Sequence, residues 1–548
     1  MKKRFLCFGL LWVCLWTCMA AEADVLQPRL TKATCDKQLR DAVALYGRRS
    51  IQYAWAMSRM GTFYADSLSP ATYDKRQAQT WLEQSVALAL PLADSSVMAA
   101  EIYVNSIDFS IATEKKRQAI SCVRPLYNCL IAEHLPKPWS ERARNAMLFM
   151  LWESSLNGDL QDLLYDYCLR HKHLRFTEEE PPDWKAVKNA LQPDETAVEM
   201  ISCTYKGQTR WMASVLKSKY SHPKKLDLFV EDSVYTACVR NKTIVCRNDW
   251  LFNYIWLPLS EMLYSGGKVY FSPYMELHQL CIEYIPVPGT GTYVCDRYHL
   301  HRVLTTAQLL QKRQQENRRS VIRKAALFGN ADYGRGICWM PLGNTASEVD
   351  AVGRMLKAAD YAVASHTGDD CSEEAFLALS GKHTGIIHIA THGFRYKEAS
   401  DPLLASGLVM AGANKQCGDT LHKYRVGDGM LTAGEIARMD LQDTRLVVLS
   451  ACQSGLGVAS ESGIAGLQSA LKQAGVQTII QALWNVNDKA TNLLMKEFYR
   501  LYLTEGLSVS QAMQKARLCM KRTTFDTPSG KPINGDDPYF WGAFVVVE

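Results

Sequence analysis

Apolar strands alternate with helices from residue 325 to the end of the chain, and this alternation limits the fold more than any other feature. The strands predicted at Ile386–Ala390, Leu446–Ser450 and Gln477–Ala482 consist mostly of apolar residues. Strands that alternate with helices are typical of a parallel sheet, because each helix makes the crossover to the next strand. A strand that is apolar on both sides needs cover on both faces. The sequence therefore predicts an α/β fold: a three-layer sandwich around a mostly parallel sheet.

The preceding region has a different pattern. Residues 35–176 carry apolar residues at three- and four-residue spacing, which predicts helices throughout. The tetrapeptide Lys-Arg-Gln-Ala occurs at Lys75–Ala78 and again at Lys116–Ala119, each time at the start of a predicted helix. Helix pairs that repeat at about 40 residues predict a short helical-repeat, TPR-like domain, since each pair must stack on its neighbour. An irregular helical domain with a chance match is the alternative.

The start of the chain has the three parts of a secretory signal peptide. Lys2, Lys3 and Arg4 are positively charged, Phe5–Met19 is apolar, and an Ala-x-Ala exit ends at Ala23. The apolar run is shorter than the roughly 20 residues of a membrane span. We expect residues 1–23 to be removed and the protein to be exported to the periplasm, the cell surface or the medium, with no membrane attachment afterwards. A cut after Ala20, an uncleaved anchor and a lipid on Cys18 are the alternatives.

Composition excludes several classes of function. The chain has 62 basic and 56 acidic residues and no long basic run, so no nucleic-acid partner is expected. Its 17 cysteines include no C-x-x-C pair, so no metal site is expected. The glycine-rich segment Gly329–Gly336 lacks the Lys-Ser/Thr of a phosphate-binding loop, and no cofactor is expected.

Two of the predicted strands end in reactive side chains. His392 and Gly393 follow the strand at 386–390, and Cys452 follows the strand at 446–450. The carboxyl ends of parallel strands form the sites of open sheets, so His392 and Cys452 meet if their strands are neighbours. A thiol beside an imidazole can act as a nucleophile. Each residue alone is more often structural, and it is the pair that favours chemistry.

With these motifs, the C-terminal part of the chain resembles the CHAT family, whose caspase-like domains accompany TPR repeats, within the clan of caspases, separases and gingipains. The resemblance covers about residues 200–548 and implies a degenerate caspase-like half at 186–320 and a catalytic half at 321–548. A proline-containing acidic linker, residues 177–185, precedes them. The matching stretches are Val269–Glu283, Ile387–Phe394, Leu449–Gly455, Ile479–Asp488 and Asp537–Phe544.

The resemblance also implies roles for individual residues. Cys452 corresponds to the nucleophile and His392 to the general acid and base. The backbone N–H groups of Gly393 and Cys452 would form the oxyanion hole. Asp488 matches an acidic position of the S1 pocket, where a carboxylate favours Arg or Lys before the cleaved bond. The alternative for Asp488 is a helix N-cap, and His388 is expected to be a buried, hydrogen-bonded residue.

These inferences lead to an exported cysteine endopeptidase (a caspase-like thiol protease) that acts on protein or peptide substrates. Its helical repeats would bind a regulatory protein or recruit the substrate. The alternative is a non-proteolytic interaction protein, with the caspase-like domain kept as an inactive scaffold. A thiol redox protein is disfavoured, because no resolving cysteine lies near Cys452.

Overall fold

The computed structural model describes residues 30–548 except for 133–134, 154–156, 173–179, 317–321, 397–400, 402, 417–426, 451–456, 461–462, 486 and 527–531. The chain divides into two compact units. Among the described residues, the first comprises those up to 167 together with 202–210, and the second comprises those in 168–201 and 211–548. The predicted leader, residues 1–23, lies outside the described residues.

The N-terminal region is helical, as predicted. Its helices are α1 Lys32–Tyr46, α2 Ile51–Ala65, α3 Lys75–Ala89, α4 Val97–Ala112, α5 Lys116–Ser121, α6 Val123–Ile131, α7 Lys137–Glu153 and α8 Gly158–Lys172. Among the helices of the described chain, none combines the length and the apolar character that crossing a bilayer requires.

The two copies of Lys-Arg-Gln-Ala each begin a helix, which confirms that prediction, but the two helices differ. The Asp74 carboxylate caps α3 by accepting hydrogen bonds from the backbone N–H groups of Arg76 and Gln77. Lys115 stands at the corresponding position before α5 and offers no side-chain cap. Consistent with the value of an N-cap, α3 runs for 15 residues and α5 for only six.

The second unit is built on an eleven-stranded sheet with helices around it. Its helices are α9 Trp184–Ala190, α10 Ser233–Arg240, α11 Leu257–Ser260, α12 Val294–Arg297, α13 Gln308–Glu316, α14 Thr345–Ala358, α15 Glu373–Leu377, α16 Ala433–Ile436, α17 Leu467–Gln473, α18 Asp488–Thr504 and α19 Val509–Met520.

The strands of the chain are β1 Glu195–Tyr205, β2 Gln208–Leu216, β3 Lys224–Val230, β4 Lys268–Ser272, β5 His299–Arg302, β6 Lys324–Ala331, β7 Ala362–Gly368, β8 Ile386–Ala390, β9 Gly393–Arg395, β10 Ser406–Val409, β11 Met430–Thr432, β12 Leu446–Leu449, β13 Val458–Ser460, β14 Gly463–Ala465, β15 Thr478–Ala482, β16 Thr524–Asp526, β17 Pro532–Asn534 and β18 Phe544–Val547. The strand order of the main sheet is β3-β2-β1-β4-β5-β18-β15-β12-β8-β6-β7.

The main sheet is mostly parallel, as predicted, and consists of two halves that run in opposite directions. In the C-terminal half, β15, β12, β8, β6 and β7 are parallel to one another. In the N-terminal half, β1, β4 and β5 are parallel to one another. The last strand, β18, is antiparallel to β15 and parallel to β5, so it joins the halves. The carboxyl ends of β4 and β8 therefore lie at opposite edges of the sheet.

Two predicted elements differ from the structure for local reasons. The sequence predicts a helix over 463–473, but Gly463–Ala465 forms a strand paired with Val458–Ser460, and the helix begins at Leu467. Gly463 and Gly466 have φ values of 125° and 137°, which exclude the helical conformation. The sequence also predicts a helix over 251–264, which is a π-helical turn at Phe252–Trp256 followed by the short α11.

Candidate active site

His392 follows strand β8 and lies at its carboxyl end. Every residue of β8 is buried, whereas His392, two residues beyond it, is only half-buried. The strand thus supplies a rigid base, and the imidazole remains accessible at the edge of the sheet. This is the position at which α/β sheets carry their sites.

A loop that follows β6 holds the imidazole of His392. The ring nitrogen Nε2 lies 2.7 Å from the backbone oxygen of Met340. The rings of Tyr333 and Trp339 lie 5.3 Å and 5.5 Å from the imidazole, measured between centroids. Because a carbonyl oxygen can only accept, Nε2 must carry the proton of this hydrogen bond. The lone pair of the neutral ring is therefore on Nδ1.

The side chain of Asn414 fixes this loop. Its Oδ1 accepts a hydrogen bond from the N–H of Trp339 at 2.9 Å, and its Nδ2 donates to the carbonyl oxygens of Trp339 and Gly334. The hydroxyl of Tyr333 lies 2.8 Å from Oγ1 of Thr391, the residue before the histidine. Asn414 and Thr391 are both buried, so they position the loop and the histidine without being open to substrate.

Gly393 lies in β9, which pairs with β10 in a small antiparallel sheet. Its partner in the register is Leu408, and the carbonyl of His392 accepts a hydrogen bond of 2.8 Å from the N–H of Val409. Gly393 is half-buried. The main chain on either side of the imidazole is therefore held by β10, and the oxyanion role of Gly393 stays a prediction.

The strand that precedes Cys452 is a direct neighbour of β8. The pairs of β12 and β8 run from Leu446 with Ile386 to Leu449 with Ile389, in parallel. Ser450 continues the ladder, because its N–H donates a 2.8 Å hydrogen bond to the carbonyl of Ile389. Cys452 itself, with residues 451–456, lies outside the described residues.

The first described residue after Cys452 is Gly457, and it is tied to the N-terminal half of the sheet. The side-chain amide of Gln279 donates a 2.9 Å hydrogen bond to the carbonyl of Gly457. Lys242 Nζ in turn donates a 2.7 Å hydrogen bond to Gln279 Oε1. Burial, together with the nearby Arg395, lowers the pKa of Lys242 to about 8. Gln279 and Lys242 of the N-terminal half thus link that half by hydrogen bonds to the segment that follows the predicted nucleophile.

Asp488 is the first residue of α18, and its side chain lies outside the described part of the chain. The N-cap of that helix is Asn487, whose Oδ1 accepts hydrogen bonds from the N–H groups of Lys489 and Ala490 at 3.0 Å and 3.2 Å. The alternative that Asp488 caps the helix is therefore wrong, because its neighbour already fills that position. The S1 role of Asp488 stays a prediction.

His388 is buried inside the sheet, as expected. Its Nδ1 lies 3.3 Å from the hydroxyl of Tyr499 on α18. Its Nε2 lies 3.1 Å from Oε1 of Glu348 on α14, although the angle does not suit a hydrogen bond. His388 thus contacts the helices that cover the sheet, and His392 contacts the loop at the edge.

The polar side chains of Lys172, Glu199 and Ser272 at the carboxyl end of β4 are buried and bonded to one another, whereas His392 at the end of β8 is accessible. The Nζ of Lys172 lies 2.7 Å from Glu199 Oε2 and 2.7 Å from the hydroxyl of Ser272. Glu199 Oε1 accepts a 2.6 Å hydrogen bond from the N–H of Thr306. His278 follows β4 and is also fully buried, but neither ring nitrogen has a hydrogen-bond partner.

Within the described residues, no group of three or more His, Cys, Asp or Glu side chains is arranged to hold a metal ion. Cys338, beside Trp339, is disulfide-bonded, whereas eleven other cysteines of the described chain are free thiols. Of these free thiols, only Cys519 is exposed.

Sequence reasoning missed the surroundings of His392. The glycine-rich composition of residues 329–336 gives no indication that the loop after β6 contacts the histidine. The partner of the imidazole is a backbone carbonyl, which any residue type supplies, so the sequence carries no signal for it. The sequence around Asn414 carries no signal for its contacts with the loop either.

Comparison with solved structures gives remote likenesses. Gingipain R, an Arg-specific cysteine proteinase, is 9% identical with a TM-score of 0.33, covering 51% of this chain and 62% of its own. The complex of the pro- and mature domains of gingipain RgpB from Porphyromonas gingivalis is 10% identical with a TM-score of 0.30, covering 51% and 63%. The separase–securin complex of Saccharomyces cerevisiae is 11% identical with a TM-score of 0.45, covering 91% and 40%.

The present chain thus spans less than two thirds of each of these structures, and the low scores transfer no activity to it. No curated protein matches the chain. The sequence model of the CHAT domain matches residues 247–548, which is more than half of the chain and includes β8, β12 and the loop that holds His392. The chain therefore belongs to the CHAT domain family, with the caspase-like fold that its sequence motifs imply.

Proposed function

We propose that this protein is a cysteine endopeptidase in which Cys452 is the nucleophile and His392 the general acid and base. The register of β12 and β8 carries the proposal. Leu446 pairs with Ile386 and Leu449 with Ile389, an offset of 60 residues. The same offset separates Cys452 from His392 (452 − 392 = 60). Neighbouring strands lie about 4.8 Å apart, so the proposal expects Cys452 to lie beside His392.

The hydrogen bond of the imidazole indicates which ring nitrogen would accept the proton of the thiol. Nε2 is committed to the carbonyl of Met340, so Nδ1 is the nitrogen that takes the proton of the thiol. The thiolate then attacks the carbonyl carbon of the peptide, and the imidazolium returns the proton to the leaving amine. Water hydrolyses the resulting thioester with the imidazole as base. The N–H groups of Gly393 and Cys452 would bind the oxyanion.

The finer features remain part of this proposal. Asp488 would favour Arg or Lys before the cleaved bond by a charge-assisted hydrogen bond. The helices of the N-terminal region would recruit the substrate or a regulatory protein. Residues 1–23 would direct export and be removed. Sequencing the N-terminus of secreted protein tests this last point, and an intact Met1 would contradict it.

Two readouts test the assignment of the nucleophile. The first is cleavage of a peptide library varied at P1, and the second is covalent labelling by an electrophilic peptide probe followed by peptide mapping. We expect Cys452→Ala to lose both cleavage and labelling at that position, and His392→Ala to slow both. Cys519→Ala, which removes an exposed thiol, is the matched control. The assays are run with and without a reductant, because a nucleophilic thiol must be reduced.

The outcome also separates the protease from a non-proteolytic scaffold. Equal cleavage by wild-type protein and Cys452→Ala would refute the assigned nucleophile. Absence of both cleavage and labelling in reduced wild-type protein would favour the interaction protein, since labelling needs only a reactive thiol and no natural substrate.

A further inference from the structure

A cluster of lysines and tyrosines lies in the N-terminal half of the sheet, at the connection between β2 and β3. Lys217 follows β2, Lys219 and Tyr220 lie in the connection, and Lys224 begins β3. A 3.0 Å hydrogen bond from the N–H of Tyr220 to the carbonyl of Lys217 closes a turn there. Tyr264, which lies before β4, completes this basic cluster. No residue of the proposed protease site belongs to it.

The three ammonium groups of the basic cluster lie against two aromatic rings. Lys217 Nζ is 3.6 Å and Lys219 Nζ is 5.2 Å from the centroid of the Tyr264 ring. Lys224 Nζ is 4.5 Å from the centroid of the Tyr220 ring. A ring face attracts a cation through its quadrupole but carries no net negative charge. The rings thus hold three positive charges near one turn without neutralising them.

The three lysines lack an acidic partner within the described part of the chain. Their Nζ atoms form no hydrogen bond and no ion pair with a described residue. The next lysine in the chain differs, because Lys225 Nζ lies 2.9 Å from Oδ1 of Asp227. The basic cluster is therefore distinct from the ordinary paired charge beside it.

Lys217 is the member of the cluster that most needs an anion. Its residue is only 5% exposed, and a lysine is almost never buried to this extent unless it is paired. Its Nζ is not among the unpaired atoms that are fully enclosed, so it keeps accessible surface. Burial, followed by the charges of Lys219 and Lys224, lowers the pKa of Lys217. An anion beside the three ammonium groups would offset both causes.

We propose that the basic cluster binds a phosphate monoester, with the ammonium groups of Lys217, Lys219 and Lys224 as its ligands. A monoester carries a charge of about −1.5 to −2 and three acceptor oxygens at pH 7, so it matches three cations better than a monovalent carboxylate does. Lysine binds phosphate as a point charge and needs no planar geometry. Lys219 and Lys224 are exposed, so the phosphate of a peptide or of a small ester can reach them.

Isothermal titration calorimetry of the full chain tests the proposal, in a phosphate-free buffer at constant ionic strength set with chloride. The probes are a phosphoserine peptide and glycerol 2-phosphate. We expect saturable binding, which Lys217→Met should weaken by about tenfold or more, because a charge-assisted contact is lost. Lys382→Met is the matched control: it removes the same charge from an exposed lysine before β8 and should leave binding unchanged. No binding to wild-type protein, or equal binding to Lys217→Met, would overturn the proposal.

The order of affinities distinguishes the sources of the phosphate group. Tighter binding of the phosphopeptide would indicate a phosphorylated protein, and tighter binding of glycerol 2-phosphate would indicate a small ester. Equally tight binding of the unphosphorylated peptide, or of acetate, would overturn the phosphate assignment.

A second variant covers the case in which Lys217→Met does not fold, as judged by circular dichroism. The double variant Lys219→Met/Lys224→Met changes only exposed side chains of the cluster. We expect it to bind the phosphopeptide about tenfold more weakly or worse. Unchanged binding by this variant would contradict the role of the cluster.

Acetylation with acetic anhydride, read by mass spectrometry, gives an independent readout. We expect glycerol 2-phosphate to slow acetylation of the three lysines of the cluster severalfold and to leave that of Lys382 unchanged in the same sample. A lack of protection at all three lysines, or equal protection of Lys382, would also overturn the proposal. None of these measurements depends on proteolytic activity.

Discussion

The two halves of the main sheet differ in the polar groups that lie at the carboxyl ends of their strands. At the end of β4, Lys172, Glu199 and Ser272 form a buried network in which each charge has its partner. At the end of β8, His392 is half-buried and leaves Nδ1 without a partner among the described residues. The comparison thus sets a buried and paired polar network against an accessible imidazole.

The buried carboxylates differ in the same way. In the N-terminal half, burial acts to raise the pKa of Glu195, but the hydrogen bond and charge of Arg313 outweigh it, so the pKa is lowered. In the C-terminal half, burial and the neighbouring Asp428 and Glu435 raise the pKa of Glu373 to about 7. The first carboxylate has a cation for its partner, and the second faces other carboxylates.

The largest expected effect compares the two histidines that follow the strands. If His392 is the acid and base as proposed, His392→Gln should lower the rate of peptide cleavage about 10²–10⁴-fold. His278→Leu should leave the rate within about twofold. Burial and the positive Arg302 and Lys172 hold the pKa of His278 well below its usual value, so this ring is neutral. Steady-state kinetics and circular dichroism of both variants provide the measurement.

Replacing an unbonded buried ring by an apolar group should leave stability unchanged or raise it. A large loss of cleavage in His278→Leu, with the fold intact, would break the distinction between the two halves. A His392→Gln variant that fails to fold would also contradict the distinction, because it would show that His392 is needed for stability.

The buried ion pair of the N-terminal half gives the next largest effect. Lys172→Met leaves Glu199 buried and without its cation, and should lower the free energy of unfolding by about 3–5 kcal/mol. Guanidinium denaturation measures the change. The exposed pair of Arg354 and Asp350 offers the control, since Arg354→Met should have no measurable effect. Recovery in the double variant Lys172→Met/Glu199→Gln would show that the unpaired carboxylate is the cause.

Glu373, in the C-terminal half, should make the stability of the protein depend on pH. The unfolded chain releases this proton near pH 4.5 and the folded chain near pH 7. The folded state therefore binds the proton more tightly, and stability falls as the pH rises between these values, by about 3 kcal/mol. Glu373→Gln should flatten the curve over this window and unfold at a higher temperature than wild-type protein at pH 8.

The exposed neighbour Glu374 supplies the control for this experiment. A Glu374→Gln variant with the same flattened curve, or a Glu373→Gln variant with the wild-type curve, would contradict the assignment.

The smallest effect concerns the start of α18. Asn487→Ala removes the helix cap and should cost about 1 kcal/mol, measured by thermal unfolding. Asp488→Asn should change stability less, because Asp488 is not the cap, but should reduce the preference for Arg and Lys at P1. An unchanged P1 profile in Asp488→Asn would remove the case for an acidic S1 pocket.

Much of the C-terminal half could be predicted from local pattern. The strand 386–390 is found at Ile386–Ala390, and those predicted at 446–450 and 477–482 are found at Leu446–Leu449 and Thr478–Ala482. Apolar runs of this kind leave a clear signal because both faces are buried. Membership of the CHAT family, inferred from the same motifs, is confirmed by the match over residues 247–548.

The remainder depends on contacts that local pattern does not encode. The reversal of direction between β18 and β15 is set by pairing at long range, so it could not be predicted from either segment. Asn487 and Asp488 are both good caps, and only the geometry shows which one is used. A backbone carbonyl such as that of Met340 can be supplied by any residue type, so the sequence does not reveal it, although it determines which ring nitrogen of His392 carries the proton.

That carbonyl has a consequence for how the histidine can act. An imidazole that is hydrogen-bonded at Nε2 and lies against the rings of Tyr333 and Trp339 cannot flip without breaking that bond and losing both ring contacts. A proton can then be exchanged only at Nδ1, while Nε2 keeps its own proton in the hydrogen bond to Met340. Nitrogen-15 NMR of the labelled ring would show a single tautomer of the neutral imidazole.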